Sequence, residues 1–273
     1  MKRIFTLLAG IAIALAGQAQ DSTATEKERV DTIRIGNMVI IKKSDGKKSD
    51  GDFKMYKRDY KPSNVTTNWF IVDLGVNQFS DNTNYAQAIS SGYLPAGANE
   101  DWFDLRNGKS TNVNIWVFMQ RLNVIKHVVN LKYGMGLELN NYRFRENLKF
   151  NDHTAPLVNM DPQYYGKNKL AADYVTIPLM LNFNFTPKKK YGFGFSAGVS
   201  VGYLYSSRQK IKNDDLGKKK FRDDYDLRDF KVAYVGEVSL GPVRLYGSYA
   251  DKSMFKKTLD FTPYSFGLRL SNW

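Results

Sequence analysis

Two histidines pose the question of catalysis. His127 sits in a short polar stretch between apolar runs, and His153 follows Asp152 in a long hydrophilic segment. A nucleophilic hydrolase needs a serine, a histidine and an orienting acid within hydrogen-bond reach. No serine lies near either histidine in sequence, so the expectation is no enzyme, with a lipid-modifying hydrolase as the catalytic alternative. Clustered carboxylates come next. Asp214-Asp215 and Asp223-Asp224-x-Asp226 have a density that calcium favours, but Lys218-Lys219-Lys220 and Arg222 between them neutralise it. A solvated mixed-charge loop is expected there, with no metal and no cofactor. The lysines of that loop suit lipopolysaccharide phosphates. There is no cysteine, hence no disulfide framework and no thiolate chemistry. The remaining polar candidates are Asp73, Lys132, Glu138, Lys231, Glu237, Arg244 and Arg269, each embedded in an alternating segment.

Strands must position those charges. From Asp173 to Tyr205 the chain reads as strand, tight basic turn, strand. Val175, Ile177, Leu179, Leu181, Phe183 and Phe185 alternate with Tyr174, Thr176, Pro178, Met180, Asn182 and Asn184. After Pro187–Lys190, large apolar residues from Tyr191 to Tyr205 alternate with Gly192, Gly194, Ser196, Gly198, Ser200 and Gly202. A period of two places successive side chains on opposite faces of a strand. One face is bulky and greasy, the other small or polar, as in a transmembrane barrel with lipid outside.

The rest of the chain fits that frame. Lys2 and Arg3, the apolar run Ile4–Leu15 and Gly17-Gln18-Ala19 read as a secretory signal over residues 1–19. No later segment reaches the length of about 20 apolar residues that a spanning helix needs, so a membrane form must be a barrel. Residues 20–67 read as a periplasmic N-terminal extension, with a hairpin at Thr32–Ile35 and Met38–Ile41 followed by a flexible linker through about Val65. That linker contains the duplicated Lys-Lys-Ser-Asp-Gly at 42–51. The formal charge of +13 falls by two, to +11, without Lys2 and Arg3; in an exported chain it points to anionic lipid or solvated loops and not to nucleic acid.

Residues 68–273 read as an all-β, eight-stranded antiparallel up-and-down transmembrane β-barrel. The strands fall at Asn68–Phe79, Asn112–Leu122, Val128–Phe144, the pair already described, Phe230–Leu240, Val243–Tyr249 and Phe261–Trp273. In the second, Val113, Ile115, Val117 and Met119 are placed outward and Asn112, Asn114 and Gln120 inward. Long connections at 80–111, 145–169, 206–229 and 250–260 alternate with short turns near Asn123–His127, Pro187–Lys190 and Gly241-Pro242. This is the external-loop and periplasmic-turn asymmetry of outer-membrane barrels. Pro178 removes a ladder hydrogen bond, which predicts a bulge or local break.

The segment Asp173-Tyr-Val-Thr-Ile-Pro-Leu-Met-Leu181 resembles the Tyr-x-x-Ile-Pro-Leu strand of the PorT-like outer-membrane β-barrel family. The runs Gly192–Val199 and Phe266–Leu270 are similar to other strands of that family. The resemblance covers about residues 68–273. It implies an eight-stranded barrel in the outer membrane, no catalytic motif and, for some relatives, a tie to protein secretion. Tyr264, Phe266, Leu268 and Leu270 keep the outward phase, while Trp273 falls one register off it.

Such a barrel turns the seven charges into its lumen, where buried charges must pair. Asp73 and Arg269 are expected to meet across the seam of the first and last strands, and Glu237 and Arg244 diagonally across the Gly241-Pro242 hairpin. Eight strands leave an interior that side chains just fill, which favours a structural plug over a pore. The expected partners are outer-membrane lipid or lipopolysaccharide and a periplasmic or secretion-system protein. A soluble periplasmic lipocalin-like binder is the other reading, and it requires the bulky row to face inward.

Overall fold

The computed structural model describes residues 30–35, 38–43, 53–57, 62–151, 155–189, 191–213 and 217–271, in two compact units, Met1–Asp59 and Tyr60–Trp273. The signal segment, most of the duplicated pentapeptide, Asp152-His153, Asp214-Asp215 and Trp273 lie outside the described residues.

In the first unit, β1 (Val30–Ile35), β2 (Met38–Lys43) and β3 (Phe53–Lys57) form an antiparallel sheet in that order. β1 and β2 are the expected hairpin, closed at Ile35↔Met38. β3 corrects the reading of 42–65 as linker. A lone hairpin is marginal in water, and β3 supplies a third strand, with Ile40 opposite Met55.

The second unit is a closed barrel. Its strands are β4 (Val65–Asp81), β5 (Thr111–Ile125), β6 (Val129–Arg143), a small hairpin of β7 (Leu148–Phe150) and β8 (Val158–Met160), then β9 (Lys167–Asn184), β10 (Phe193–Asn213), β11 (Gly217–Phe221), β12 (Phe230–Leu240), β13 (Val243–Ala250) and β14 (Phe261–Leu270). Eight of them form an antiparallel ring, β4–β5–β6–β9–β10–β12–β13–β14, closed by β14 on β4. β11 adds to the upper part of β10, beyond the stretch of β10 that pairs with β12. Alternation sets the two faces. Ile177, Leu179 and Leu181 are about half exposed, whereas Met180 and Asn182 between them are buried.

The strands depart locally from strict alternation. Relative to β6, β5 carries one extra residue at Val117, since Trp116 pairs with Gly136 and Phe118 with Met135. β4 matches it at Phe70, φ 54°, between Trp69↔Phe118 and Ile71↔Trp116. Trp69 and Phe70 therefore both point outward, 64% and 73% exposed. An inserted residue inverts every face beyond it. This corrects the phase of the second strand: Met119, expected outward, is buried in the lumen at 0% exposure. Gln120, expected inward, bonds Thr67 and Tyr133 on the outer side. At Pro178 the ladder to β6 lapses opposite Gly134 and Met135 and resumes at Gly136↔Thr176 in unchanged register, a local break without a bulge.

The strands also run further than their apolar patterns. β9 begins at Lys167 and β10 ends at Asn213, so much of what was expected to be loop is paired sheet. A bulge at Tyr205, between Leu204↔Tyr174 and Ser206↔Asp173, reverses the faces of upper β10.

Candidate functional site

The lumen gathers all seven sequence-singled charges at buried or nearly buried positions. Asp73 on β4 and Arg269 on β14 are direct cross-strand partners. Arg269 Nε donates to Asp73 Oδ1 at 2.7 Å and a second guanidinium nitrogen to Oδ2 at 2.7 Å. The same Oδ2 accepts from Trp116 Nε1 at 2.7 Å and from Asn114 Nδ2 at 3.2 Å. Arg269 also reaches Glu237 on β12, and its guanidinium lies 5.5 Å from the Trp116 ring centroid. Glu237 further takes Lys132 Nζ of β6 at 2.5 Å and, diagonally across the β12–β13 hairpin, Arg244 at 3.6 Å. Asp73, Arg269, Glu237, Lys132 and Arg244 thus make one brace between several walls of the lumen. Glu138 and Lys231 form a separate pair nearer the long connections; Asn140 and Thr176 also donate to Glu138, and Lys231 Nζ lies 4.9 Å from the Tyr174 ring centroid.

Apolar side chains fill around the brace. Ile71, Trp116, Met119 and Met180 cluster, with Val235 against them. Between them remain a cavity of about 30 Å³ beside Trp116, Pro178 and Arg269, and one of about 10 Å³ beside Glu138 and Lys231. Each has room for about one or two waters. A third, of about 30 Å³, lies between Arg121, Lys132, Asn182 and Arg244 at the short-turn end. The inward placement of Arg121 escaped the sequence because it depends on the Val117 bulge.

All four long connections contribute to a hydrophobic cap, a feature the sequence reading did not contain. Tyr93, Leu94 and Phe103 come from the first, Leu148, Phe150 and Val158 from the second, Tyr225 and Leu227 from the third, and Met254, Phe255 and Leu259 from the fourth. Inward residues at the top of the strands, among them Tyr142, Tyr174 and Phe261, belong to the same cluster. Its rings interlock: Phe261 stacks on Phe79 at 4.4 Å and meets Phe103 edge-on at 4.9 Å. α1 (Tyr85–Ser90) sits in the first connection, its N-cap Asn84 accepting from Gln87 N.

Of the carboxylates weighed for calcium, Asp224 and Asp226 serve as ties in this cap. Asp226 accepts from Tyr93 Oη at 3.1 Å and from Lys257 N at 3.1 Å, and Asp224 accepts from Asp226 N at 3.0 Å. Burial, then the charge of Asp226, pushes the Tyr93 phenol well above its ordinary value, so it remains a donor. His127 occupies the β5–β6 turn, where Lys126 and His127 both have positive φ, and its backbone N–H donates to Asn123 Oδ1 at 2.6 Å. Paired positive φ is the geometry of a tight two-residue hairpin turn.

A sequence profile for the outer membrane protein beta-barrel domain matches residues 69–266. The chain belongs to this outer-membrane β-barrel family. No curated protein matches it. As an outer-membrane β-barrel it presents its apolar rows to lipid, and its even strand number places both ends of the ring on one side, that of the short turns. The soluble lipocalin-like alternative is thereby corrected. Half-exposed Leu, Ile, Val and aromatic rows face out and the charges face in, the reverse of what a water-soluble barrel requires. Trp69, Phe118, Phe185 and Phe193 toward the short turns, and Tyr203, Phe230, Tyr249 and Tyr264 toward the long connections, are placed as two aromatic girdles.

Proposed function

We propose that this outer-membrane β-barrel is plugged and non-conducting, and that it serves an interaction or structural role without enzymatic activity. The observation that carries the reading is the Asp73–Arg269–Glu237 brace lying beneath an apolar cap. A porin keeps an open aqueous path, whereas here ion pairs and packed rings occupy both levels of the lumen. Planar-bilayer recording of the purified full chain tests it. The expected trace is a closed baseline; steady openings on the nanosiemens scale of porins would overturn the plug.

The finer relationship is to the PorT-like barrels, supported by Tyr174, Ile177, Pro178 and Leu179. On this reading the partners are outer-membrane lipid or lipopolysaccharide around the barrel and a periplasmic, secretion-linked protein. The same reading assigns that contact to the N-terminal sheet of β1, β2 and β3. Deleting the gene should reduce the export of secreted proteins, and photo-crosslinkers placed in β2 should capture a secretion component. Unchanged export after deletion would remove the secretion link. For the absence of catalysis, the purified barrel in mixed micelles should hydrolyse neither phospholipid nor acylated glycolipid. Turnover abolished by His153→Ala would refute it.

A further inference from the structure

Above the lipid-facing rows, the sheet carries an arrangement of charge that works against its own stability. β9, β10 and β11 continue beyond the barrel wall as a three-stranded ribbon. In it Lys169 pairs with Lys210 and Lys210 with Lys220; one rung higher, Lys167 pairs with Lys212 and Lys212 with Lys218. Direct cross-strand partners share a face. Six lysines therefore form a grid of two rows by three strands, spaced about 4.8 Å across strands and about 6.7 Å along them. Like charges directly opposite each other are destabilising.

Two facts fix where this grid points. Its reverse face is pinned to the cap: Asn168, Leu170, Gln209 and Ile211 are buried, and Gln209 donates to Leu148 O at 2.7 Å and to Asn168 Oδ1 at 2.9 Å. The lysine face is the outer one. Lys167 and Lys169 share the phase of Val175, Ile177 and Leu179, and the bulge at Tyr205 brings Lys210 and Lys212 onto that same side. From Val175 up to Lys169 is six residues, about 20 Å along the strand and about 15 Å in height at the tilt usual for barrels. Val175 pairs with Tyr203 of the upper girdle, so the first lysine row stands about 15 Å above that girdle, over the surface of the outer leaflet. Two guanidiniums border the grid: Arg208 is engaged by Asp173, and Arg143, the β6 partner of Lys169, donates to Gly166 O at 2.8 Å. Asp214 and Asp215, at the tip of the β10–β11 hairpin, lie outside the described residues.

We propose that Lys167, Lys169, Lys210, Lys212, Lys218 and Lys220 form a site for the phosphate groups of outer-leaflet phosphorylated glycolipid. The repulsion built into the free grid is the complement of a multivalent anion, and the pinned ribbon holds the ammonium groups in place before binding. This rests on the lipid-partner reading above and names the chemistry and the residues of that contact.

The test uses the full chain in phosphatidylcholine nanodiscs, titrated with bisphosphorylated lipid A, with the same lipid stripped of its phosphates, and with inorganic phosphate alone. The wild type should bind the bisphosphorylated lipid, bind the stripped lipid at least about tenfold more weakly, and lose affinity as salt rises. Lys210→Gln, Lys212→Gln, Lys218→Gln and Lys220→Gln together should weaken lipid A binding about tenfold or more. The same number of charges removed at Lys109, Lys126, Lys188 and Lys252 should change it less than twofold. The fourfold ribbon variant should remain heat-modifiable and as resistant to urea as the wild type, because repulsion is relieved. That readout separates failure of the site from failure of the barrel. Equal affinity for stripped lipid, binding of free phosphate without lipid A, or a ribbon variant within twofold of the wild type would each overturn the proposal.

Discussion

Consider Asp73→Ala at the barrel seam. Asp73 is fully buried and accepts four hydrogen bonds, two from Arg269 and one each from Trp116 and Asn114. Truncation leaves two neutral donors short of an acceptor, at about 1–3 kcal/mol each where no water replaces it. The cavity beside Trp116, Asn114 and Arg269 admits about one or two waters, which offsets much of that cost. The guanidinium is harder to satisfy. Arg269 keeps Glu237, but Glu237 already serves Lys132 and Arg244. Breaking a buried pair from one side costs about 3–5 kcal/mol, and about 4 kcal/mol is expected here. Asp73→Leu combined with Arg269→Met removes both charges and fills their volume, and Glu237 retains two cations. That double variant should lose less than Asp73→Ala, because no buried charge is left unpaired and only Trp116 Nε1 and Asn114 Nδ2 lack their acceptor. Urea-driven unfolding and refolding in short-chain phosphatidylcholine bilayers, followed by tryptophan fluorescence, supplies both values. A loss below about 1 kcal/mol for Asp73→Ala would mean that the seam is wet and that the brace does not hold the lumen.

Two further predictions address the bulge and the cap. Deleting Phe70 and Val117 together restores plain alternation in β4 and β5 while preserving their mutual register, so the double deletion should fold to the heat-modifiable form. Either deletion alone slips one strand against the other by a residue and should lower the folded yield severalfold, as read by gel migration without boiling. Phe103→Ala removes a ring that is 1% exposed and packed on Phe144 and Phe261, at a cost of about 3–5 kcal/mol. Because that ring belongs to the cap, trypsin should cut within 80–111 and 145–169 on intact cells while the barrel band survives; unchanged resistance would mean that the connections hold their fold without the shared core.

The limits of the sequence reading follow from what period-two alternation can and cannot carry. Alternation reports a face, and on long uninterrupted strands it placed Asp73 against Arg269 because both heights could be counted from a common end. It has no means of detecting an inserted residue. Val117 is itself apolar, so the bulge that turns Met119 and Arg121 inward is hidden in an apolar run, and its trace is that Trp116 and Phe118, both large and apolar, fall at inward places of the plain alternation. Phe70 hides its partner bulge for the same reason. The upper ribbon was missed on chemistry: Lys167, Lys169, Lys210 and Lys212 alternate with Asn168, Leu170, Gln209 and Ile211, a pattern of strand period whose outer face is charged. Above the hydrocarbon layer the outer face of the same sheet meets phosphates and water, so the greasy signature stops while the hydrogen-bond ladder continues. The cap was harder still, since Leu94, Phe103, Phe150, Leu227 and Phe255 are scattered through four polar segments and acquire a common interior only when the ring closes. What closes the ring is the barrel pairing most distant in sequence, β4 with β14, and Asp73–Arg269 is a charged contact that joins its two strands. The seam variant therefore tests more than one ion pair: if Asp73→Ala loosens closure, the cap above it should become protease-sensitive at lower urea than the β9–β10 hairpin, whose register is set by a local turn.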